Sequence, residues 1–360
     1  MKSTMTLTDM AAELERQNTV KRDFVADTRK MEFGVTETPI TQNDGSMAMS
    51  HNVALRGLPI GDAPLRKTAH DQFATTLGIP RPYYQRMLAD APDLLVTNLN
   101  RWMEQEPKQR MVRTLDGEVR ALLSDRYRPL DNFDLAEAML PKLMGLEANV
   151  QSTGITEDRF YLKAVTERVQ GEVKQGDVVQ AGIVISNSEV GHGSLKIEEL
   201  DFRLVCLNGM IREAAVRRAH LGRNSGVDLI DGAREFYRDE TRRLEDAAFW
   251  NKVKDSADAV FDQSRFNRRL DQYREASQLA LPAPVKAVDF IAERVGLLER
   301  EKESVLAHLI QGGDLSAWGV ANAVTRASQD VDDYGRATEL EAAGGTIVEL
   351  RPEEWSKVTA

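Results

Sequence analysis

Three segments in the middle of the chain are rich in β-branched and aromatic residues: residues 159–165, 178–186 and 195–207. Such a composition favours strands, and the short links between the segments contain Gly176 and Gly191, as turns do. Strands joined by short turns pair antiparallel, because a parallel pair requires a crossover of a dozen or more residues. After Gly209 the pattern becomes helical. The sequence therefore predicts an α+β fold with an antiparallel sheet and a helical carboxyl-terminal part.

A β-hairpin is predicted upstream of these strands. The runs 111–115 and 118–124 flank Asp116-Gly117, a dipeptide that accepts the positive φ angles of a type I′ turn. Further upstream, residues 65–75 and 83–88 have the pattern of two short helices joined by a turn. The second helix has few of the basic and amide residues that a DNA-reading helix needs, so packing against the body is the favoured interpretation.

The other helices are predicted from apolar spacing and from glycine and proline at their ends. Their ranges are 133–140, 210–221, 228–278 with a break near residues 262–264, 285–297, 301–310 and 315–327, followed by a short strand at 346–350. Pro282 and Pro284 mark a boundary. We therefore predict an amino-terminal arm (1–64), an α+β body (65–281) and an acidic helical tail (282–360) in which Trp318 is a core residue.

The composition excludes several protein classes. No run of 18 or more apolar residues is present, and the first residues are polar where a secretory signal would be basic and then apolar. The one cysteine, Cys206, lies in an apolar run where a buried thiol is expected, and the five histidines show no metal-binding spacing. We expect a protein of the cytoplasm, with no cofactor, no metal and no membrane partner.

The motifs of the common catalytic sites are missing from the sequence. It contains no nucleophile elbow, Walker loop or dinucleotide fingerprint. Gly191-His192-Gly193 fits a hairpin loop better than a phosphate cradle, and neither that histidine nor His220 has an evident nucleophile beside it. A metal site built on Glu157, Asp158 and Asp177 is a weaker alternative, because the spaced acidic partners are lacking. We therefore predict that the chain is not an enzyme.

Arginine is concentrated in two segments. Arg126-Tyr127-Arg128 combines arginine with an aromatic ring, and residues 202–223 contain five arginines against one acidic residue, although the whole chain has a net charge of −10. Such segments suit single-stranded nucleic acid, whose bases stack on tyrosine and whose phosphates bind guanidinium groups. Structural ion pairs, within the helix or with the tail, are an equally strong alternative. The candidate nucleic-acid-binding residues are Arg126, Tyr127, Arg128, Arg212, Arg217, Arg218, His220 and Arg223.

Several short motifs occur in the order found in one known family. They lie at residues 126–132, 186–188, 193–194, 204–208 and 318–325. On these motifs the chain resembles the phage and plasmid-like family called domain of unknown function 932, over about residues 65–350. The resemblance implies a gene of phages, prophages or plasmids, often near replication and recombination functions, and it implies no particular biochemical activity.

Two hypotheses about function follow. The first is an accessory protein of recombination or replication that binds single-stranded DNA, with a homo-oligomer as one form. The second is a non-enzymatic protein-interaction module that modifies a host or phage complex through its acidic tail, where residues 271–360 contain nine basic and 16 acidic residues. A nucleic-acid ligand would have to overcome the net negative charge locally.

Overall fold

A computed structural model describes residues 5–41, 47–105, 107–127, 129–218, 239–351 and 353–355. The strands are β1 (Arg22–Asp27), β2 (Glu32–Thr41), β3 (Met47–Leu58), β4 (Gly61–Pro64), β5 (Gln109–Leu115), β6 (Glu118–Ser124), β7 (Ala148–Ile155), β8 (Phe160–Glu172), β9 (Val178–Asn187), β10 (Leu195–Arg203) and β11 (Asn208–Arg218). The helices are α1 (Leu7–Val20), α2 (Lys67–Thr76), α3 (Arg81–Asp90), α4 (Pro92–Gln105), α5 (Asn132–Gly145), α6 (Asp239–Val260), α7 (Gln263–Gln278), α8 (Pro284–Val295), α9 (Glu299–Gly312), α10 (Ala317–Ala327) and α11 (Tyr334–Val348).

The strands of the described part of the chain form three antiparallel sheets. The central sheet has the order β11-β10-β9-β8-β7, so each strand pairs with the next one along the chain. Two three-stranded sheets, β1-β5-β6 and β2-β3-β4, belong to the amino-terminal half. The predicted α+β class, with an antiparallel sheet and a helical carboxyl-terminal part, is therefore confirmed.

The predicted hairpin is formed by β5 and β6. Leu115 pairs with Glu118 across the two-residue turn, where Asp116 has φ 55° and Gly117 has φ 79°. Two successive positive φ angles define the type I′ turn, whose twist matches that of the paired strands. The Asp-Gly dipeptide was therefore a sufficient signal for this element.

Helices cover both faces of the central sheet. Val184 and Leu200 pack with Ala342 of α11 on one face, whereas Ile183 belongs to the main core together with Phe266 of α7. Residues 183 and 184 are adjacent in β9, so their side chains point to opposite faces, as the pleat of a strand requires. This double coverage explains why β9 consists mainly of apolar residues.

The described residues of the predicted amino-terminal arm (1–64) pack against the body. Phe33 of β2 and Leu55 of β3 share a core with Phe73 of α2 and Leu95 of α4. β1 pairs with β5, and Met10 of α1 lies in the main core.

The acidic tail also shares its core with the body. Trp318 is 1% exposed and stacks on Tyr273 of α7 with ring centroids 4.8 Å apart, which confirms it as a core residue. The predicted strand at 346–350 is wrong, since α11 continues to Val348 and buries Ile347. None of the described helices is long and apolar enough to cross a membrane.

The predicted helix at 210–221 is wrong in its described part. Residues up to Arg218 form strand β11, which pairs with β10. Methionine, alanine, arginine and glutamate favour helices, but pairing along a neighbouring strand outweighs propensities of a few tenths of a kcal/mol per residue. The turn between the two strands contains Cys206, which is partly exposed and does not lie in a buried strand as expected. Pro141 also does not end a helix as predicted, because it lies inside α5.

A candidate ligand-binding cleft lined by arginine side chains

The loop that connects β9 and β10 is buried except at its tip, where Gly191 and His192 are exposed. Ser188, Glu189, Val190 and Ser194 are all buried, although loops normally lie on the surface, where water satisfies their polar groups. Here protein groups replace the water: Gln72 Nε2 donates to Val190 O at 2.7 Å, and Tyr127 Oη donates to Ser188 O at 3.2 Å. The loop is thus held by α2 and by the segment after β6. The predicted hairpin loop at Gly191–Gly193 is therefore confirmed.

Glu189 is the centre of a buried ionic network. Its Oε2 accepts a hydrogen bond from Arg120 Nη2 at 2.5 Å, and its Oε1 accepts one from the backbone N–H of Asn132 at 2.6 Å. Its backbone carbonyl accepts a bond from Arg113 Nη1 at 2.9 Å. One residue of the loop therefore joins β5, β6 and the start of α5.

Arg113 extends this network to the amino terminus. Its Nε donates to Asp23 Oδ1 at 2.9 Å and its Nη2 to Asp131 Oδ1 at 2.7 Å, while Lys21 Nζ donates to Asp131 Oδ2 at 2.5 Å. Burial would raise the pKa of Asp131, but attraction to Arg113 and bonds from Arg113 and Lys21 lower it overall. The carboxylate therefore stays charged, as a buried ion pair requires.

A second group of polar side chains lies beside the loop. Asp158 Oδ1 accepts a bond from Thr68 Oγ1 at 2.5 Å, and Asp158 Oδ2 is 3.2 Å from His192 Nδ1. The hydrogen bond between them lowers the pKa of Asp158 and raises that of His192. Arg159 Nη2 donates to His192 O. These contacts tie the turn before β8 to the same loop.

A cavity of about 60 Å³ lies between the loop and these side chains. Arg66, Arg120 and Arg159 line it, together with the carboxylates of Glu157, Asp158 and Glu189. Arg66 is bound to Glu118 by its Nε at 2.6 Å. Arg120 is 5% exposed, and its Nε has no hydrogen-bond partner among the described residues. The three arginines are thus each bonded to the protein, and the unpartnered Nε of Arg120 is itself buried.

The first predicted arginine segment is divided between surface and core. Arg126 is exposed, whereas Tyr127 is 8% exposed and packs with Ala121, Leu123 and Val190. A ring in this position cannot stack on a base without leaving the core, so its expected role is corrected: Tyr127 supports the buried loop. Arg128 lies outside the described residues.

Arg212 also has a structural role. It is buried, and it donates from Nη1 to Gly345 O at 3.1 Å and from Nη2 to Gln272 Oε1 at 2.8 Å. It forms an ion pair with Glu349 at 3.0 Å and lies over the ring of Tyr273. This agrees with the alternative interpretation, in which an arginine of this segment pairs with the tail.

The backbones of Arg217 and Arg218 lie at the end of β11, an edge strand of the central sheet. Arg217 is opposite Lys196 and Arg218 is opposite Leu195; the side chains of both arginines are outside the description. His220 and Arg223 lie outside the described residues altogether. The structure therefore places Arg217 and Arg218 at one sheet edge, on the same strand as Arg212, whereas Tyr127 packs in the core beside Val190.

Sequence reasoning did not identify Glu189, Arg113 and Arg120. The sequence did contain a signal for the two arginines. Arg113 and Arg120 interrupt the apolar strands of the hairpin at equal distances from the Asp-Gly turn, and a buried arginine requires a charged partner. The acidic residues of the weaker metal hypothesis are not together: Asp177 is bonded to Arg203 and to Trp318. Among the described residues, no group of three or more histidine, cysteine or acidic side chains has the arrangement of a metal site.

Comparison with known proteins gives one match. The family model with the description "Domain of unknown function (DUF932)" matches residues 120–342. This range contains Glu189, the centre of the ionic network, and the whole central sheet. No curated protein matches the chain, and no solved structure matches it.

Proposed function

The chain belongs to the family described as Domain of unknown function (DUF932). From its geometry we propose that it is an accessory protein of phage or plasmid type. In this proposal it binds single-stranded nucleic acid in recombination or replication. We propose that the protein acts in the cytoplasm, without a catalytic step and without a cofactor. The observation that carries it is the basic end of the central sheet edge, where Lys196 and Arg217 are cross-strand partners and Arg218 follows.

Two like charges at opposite positions of neighbouring strands destabilise a sheet. Lys196 is only partly balanced, because its one described ion pair, with Glu198 Oε1, has a distance of 3.4 Å. A phosphate bound at this end of the sheet would meet cationic residues from both strands and release counterions. The arrangement therefore favours an anionic ligand at the edge.

The basic edge, formed by Lys196, Arg217 and Arg218, also lies next to the cleft that Arg66, Arg120 and Arg159 line. Strand β10 begins directly after the buried loop, and Arg159 is bonded to that loop at His192 O. Lys196 is separated from His192 by three residues. A strand of nucleic acid that follows the sheet edge would thus continue toward the arginines of the cleft, with one phosphate after another near a cation.

A titration with labelled single-stranded and double-stranded oligonucleotides at two salt concentrations tests the proposal. We expect modest affinity for single strands that falls steeply with salt, because the net charge of −10 opposes binding away from the basic edge. The variant Lys196→Gln should bind more weakly, whereas Arg168→Gln, an exposed arginine near the other end of the sheet, should bind as the wild type does. A folded protein that binds no single strand at low salt would refute the proposal.

The second candidate function is a protein-interaction module that modifies a host or phage complex. It is favoured by the turn between β10 and β11, where Val205 and Leu207 are each 60% exposed. The two residues are separated only by Cys206, and a contiguous patch of exposed apolar side chains marks a contact surface. Sedimentation of the wild type and of Val205→Asp would test whether this turn joins copies of the chain: a larger species that the substitution dissociates would support an interface there, and a monomer in both cases would exclude self-association.

A further inference from the structure

We propose that the ribbon formed by β2 and β3 binds a soft monovalent metal ion, Cu(I) or Ag(I), through Met49 and its neighbours Met47 and His51. These three residues alternate along β3, so their side chains lie on one face of the strand. All three are exposed, Met47 by 69% and Met49 by 51%. The strand therefore presents two thioethers and an imidazole in a row on an accessible surface.

The backbone beneath this row is held in place. Asn52, on the opposite face of β3, donates from Nδ2 to Leu65 O at 3.1 Å, and its Oδ1 is 2.8 Å from His70 Nε2. The ladder between β2 and β3 continues outward to the pair of Thr41 and Met47, whereas β4 pairs only with the later part of β3. The row therefore lies on a two-stranded extension of fixed register whose outer side chains meet solvent.

The spacing of the row suits an ion with two ligands. Alternate residues of a strand are about 6.5 Å apart, and the methionine side chain is long and unbranched, with three rotatable bonds. Met49 Sδ can therefore share an ion with Met47 on one side or with His51 on the other. Met47 and His51 are about 13 Å apart along the strand, too far to share one. Closed-shell monovalent ions such as Cu(I) and Ag(I) accept two ligands in a line, and Met49 is the ligand common to both arrangements.

Glu37 orients the imidazole of the row. Glu37 is the cross-strand partner of His51, and its Oε1 lies 3.3 Å from His51 Nε2. A carboxylate at this position favours the tautomer with the proton on Nε2, which leaves the lone pair of Nδ1 for a metal. Histidines that bind metals commonly engage a carboxylate with their other ring nitrogen. The pair is thus an observation, independent of the methionines, that points to a cation at this face.

The donor set selects the class of ion. Thioether sulfur is a soft ligand that favours Cu(I), whereas Mg²⁺ and Ca²⁺ take oxygen ligands and Zn²⁺ takes thiolate, imidazole or carboxylate. The spacing of histidine and cysteine predicted no metal site in the sequence, and methionine donors are a different set. The family match begins at residue 120, so the row lies outside it, and the site does not depend on the proposed function.

NMR of the full-length protein labelled at its methionine methyl groups tests the site, with Ag(I) as a probe that keeps its oxidation state. Cys206→Ser serves as the background, because the thiol of Cys206 would bind the same ion. Of the 12 methionine signals, those of Met47 and Met49 should shift on addition of one equivalent, together with the ring signals of His51. Absence of a shift at Met49, or shifts spread over many methionines, would overturn the site.

Calorimetric titration with Ag(I) in the same background, with nitrate in place of chloride, compares variants. Met49→Leu retains the volume of the side chain but removes the sulfur, and should abolish binding. Glu37→Gln should weaken binding about tenfold, as the loss of a partner of a ligating histidine does. Met144→Leu is the matched control, since Met144 is 77% exposed on α5 and has no methionine or histidine within four residues. It should leave the affinity unchanged.

Two other ions test the assignment to a soft metal. Cu(I), kept reduced under anaerobic conditions, should shift the same methyl signals as Ag(I). Zn²⁺ should shift none of them and should not displace Ag(I). Equal affinities of Met49→Leu and the control for Ag(I), or displacement of Ag(I) from Met49 by Zn²⁺, would refute the proposal. The exposed substitutions leave the core untouched, and the methyl signals of Met47 and Met49 decide the matter without them.

Discussion

The most fully buried ion pair among the described residues provides a quantitative prediction. Lys163 of β8 and Glu341 of α11 are each 1% exposed, and Lys163 Nζ is 2.6 Å from Glu341 Oε2. Nζ also donates to Thr338 Oγ1 at 2.9 Å and lies over the ring of Tyr334. Burial alone would lower the pKa of Lys163, but the attraction of Glu341 raises it. The pair therefore joins α11 to the central sheet in its charged form.

Lys163→Met removes the cation and retains most of the volume of the side chain. It leaves the Glu341 carboxylate buried and uncompensated, which should lower the free energy of unfolding by about 3–5 kcal/mol. The double variant Lys163→Met with Glu341→Leu leaves no buried charge. It should recover most of the stability and unfold within about 1–2 kcal/mol of the wild type, because desolvation of the pair offsets most of its attraction.

Urea unfolding of the wild type, the two single variants and the double variant measures this coupling. Arg168→Met is the control on the same strand, since its pair with Glu147 is 58% and 71% exposed with a distance of 3.5 Å; it should cost less than about 1 kcal/mol. A Lys163→Met variant as stable as the control, or a double variant whose destabilisation equals the sum of the two single effects, would contradict the reasoning.

Two further predictions concern stability. His70 is buried, and its ring nitrogens are bonded to Tyr84 Oη and Asn52 Oδ1. Burial lowers its pKa from 6.5 to about 4, so the unfolded state takes up a proton first as the pH falls. The free energy of unfolding should therefore decrease by roughly 3 kcal/mol between pH 7 and pH 4. Urea unfolding at these pH values should show a smaller decrease for His70→Gln, and equal decreases would exclude this histidine as the cause. Trp318→Ala should lower the free energy of unfolding by about 3–5 kcal/mol, since it removes a buried ring. Trp102 is 44% exposed, so Trp102→Ala should lower it much less. Similar losses for the two variants in thermal unfolding would count against Trp318 as a core residue.

Local signals in the sequence predict those parts of the fold that depend on local physics. β-branched runs with glycine between them indicated β8, β9 and β10, and Asp116-Gly117 indicated the hairpin, because a positive φ angle restricts the choice of residue. The near-helical interval between Trp318 and Val324 indicated Trp318 as a core residue of α10, whereas Leu315, the third residue of that predicted series, precedes the helix and is 42% exposed. In each case neighbours along the chain were sufficient.

The remaining elements depend on partners that are distant in the sequence. β11 has helix-forming residues and becomes a strand because β10 provides a ladder for it. The candidate site was missed for the same reason: Glu189 meets Arg120 across 69 positions of the chain, and no spacing rule connects them. Tyr127 and Arg212 were expected to contact a ligand because their residue types suit nucleic acid. Their residue types equally suit a buried loop support and a structural ion pair, and burial decides between these roles.

The salt dependence of binding to a single-stranded oligonucleotide tests the central claim most directly. The logarithm of the association constant should fall linearly with the logarithm of salt concentration, with a slope of about −0.7 for each neutralised phosphate. Arg217→Gln with Arg218→Gln should weaken binding and make the slope shallower by about 0.7 for each phosphate that the variant no longer neutralises. The control, Arg168→Gln with Lys174→Gln, removes the same charge at the other end of the sheet and should leave the slope unchanged. Equal slopes for the two double variants, or no binding by the wild type at low salt, would contradict the assignment of single-stranded nucleic acid to this sheet edge.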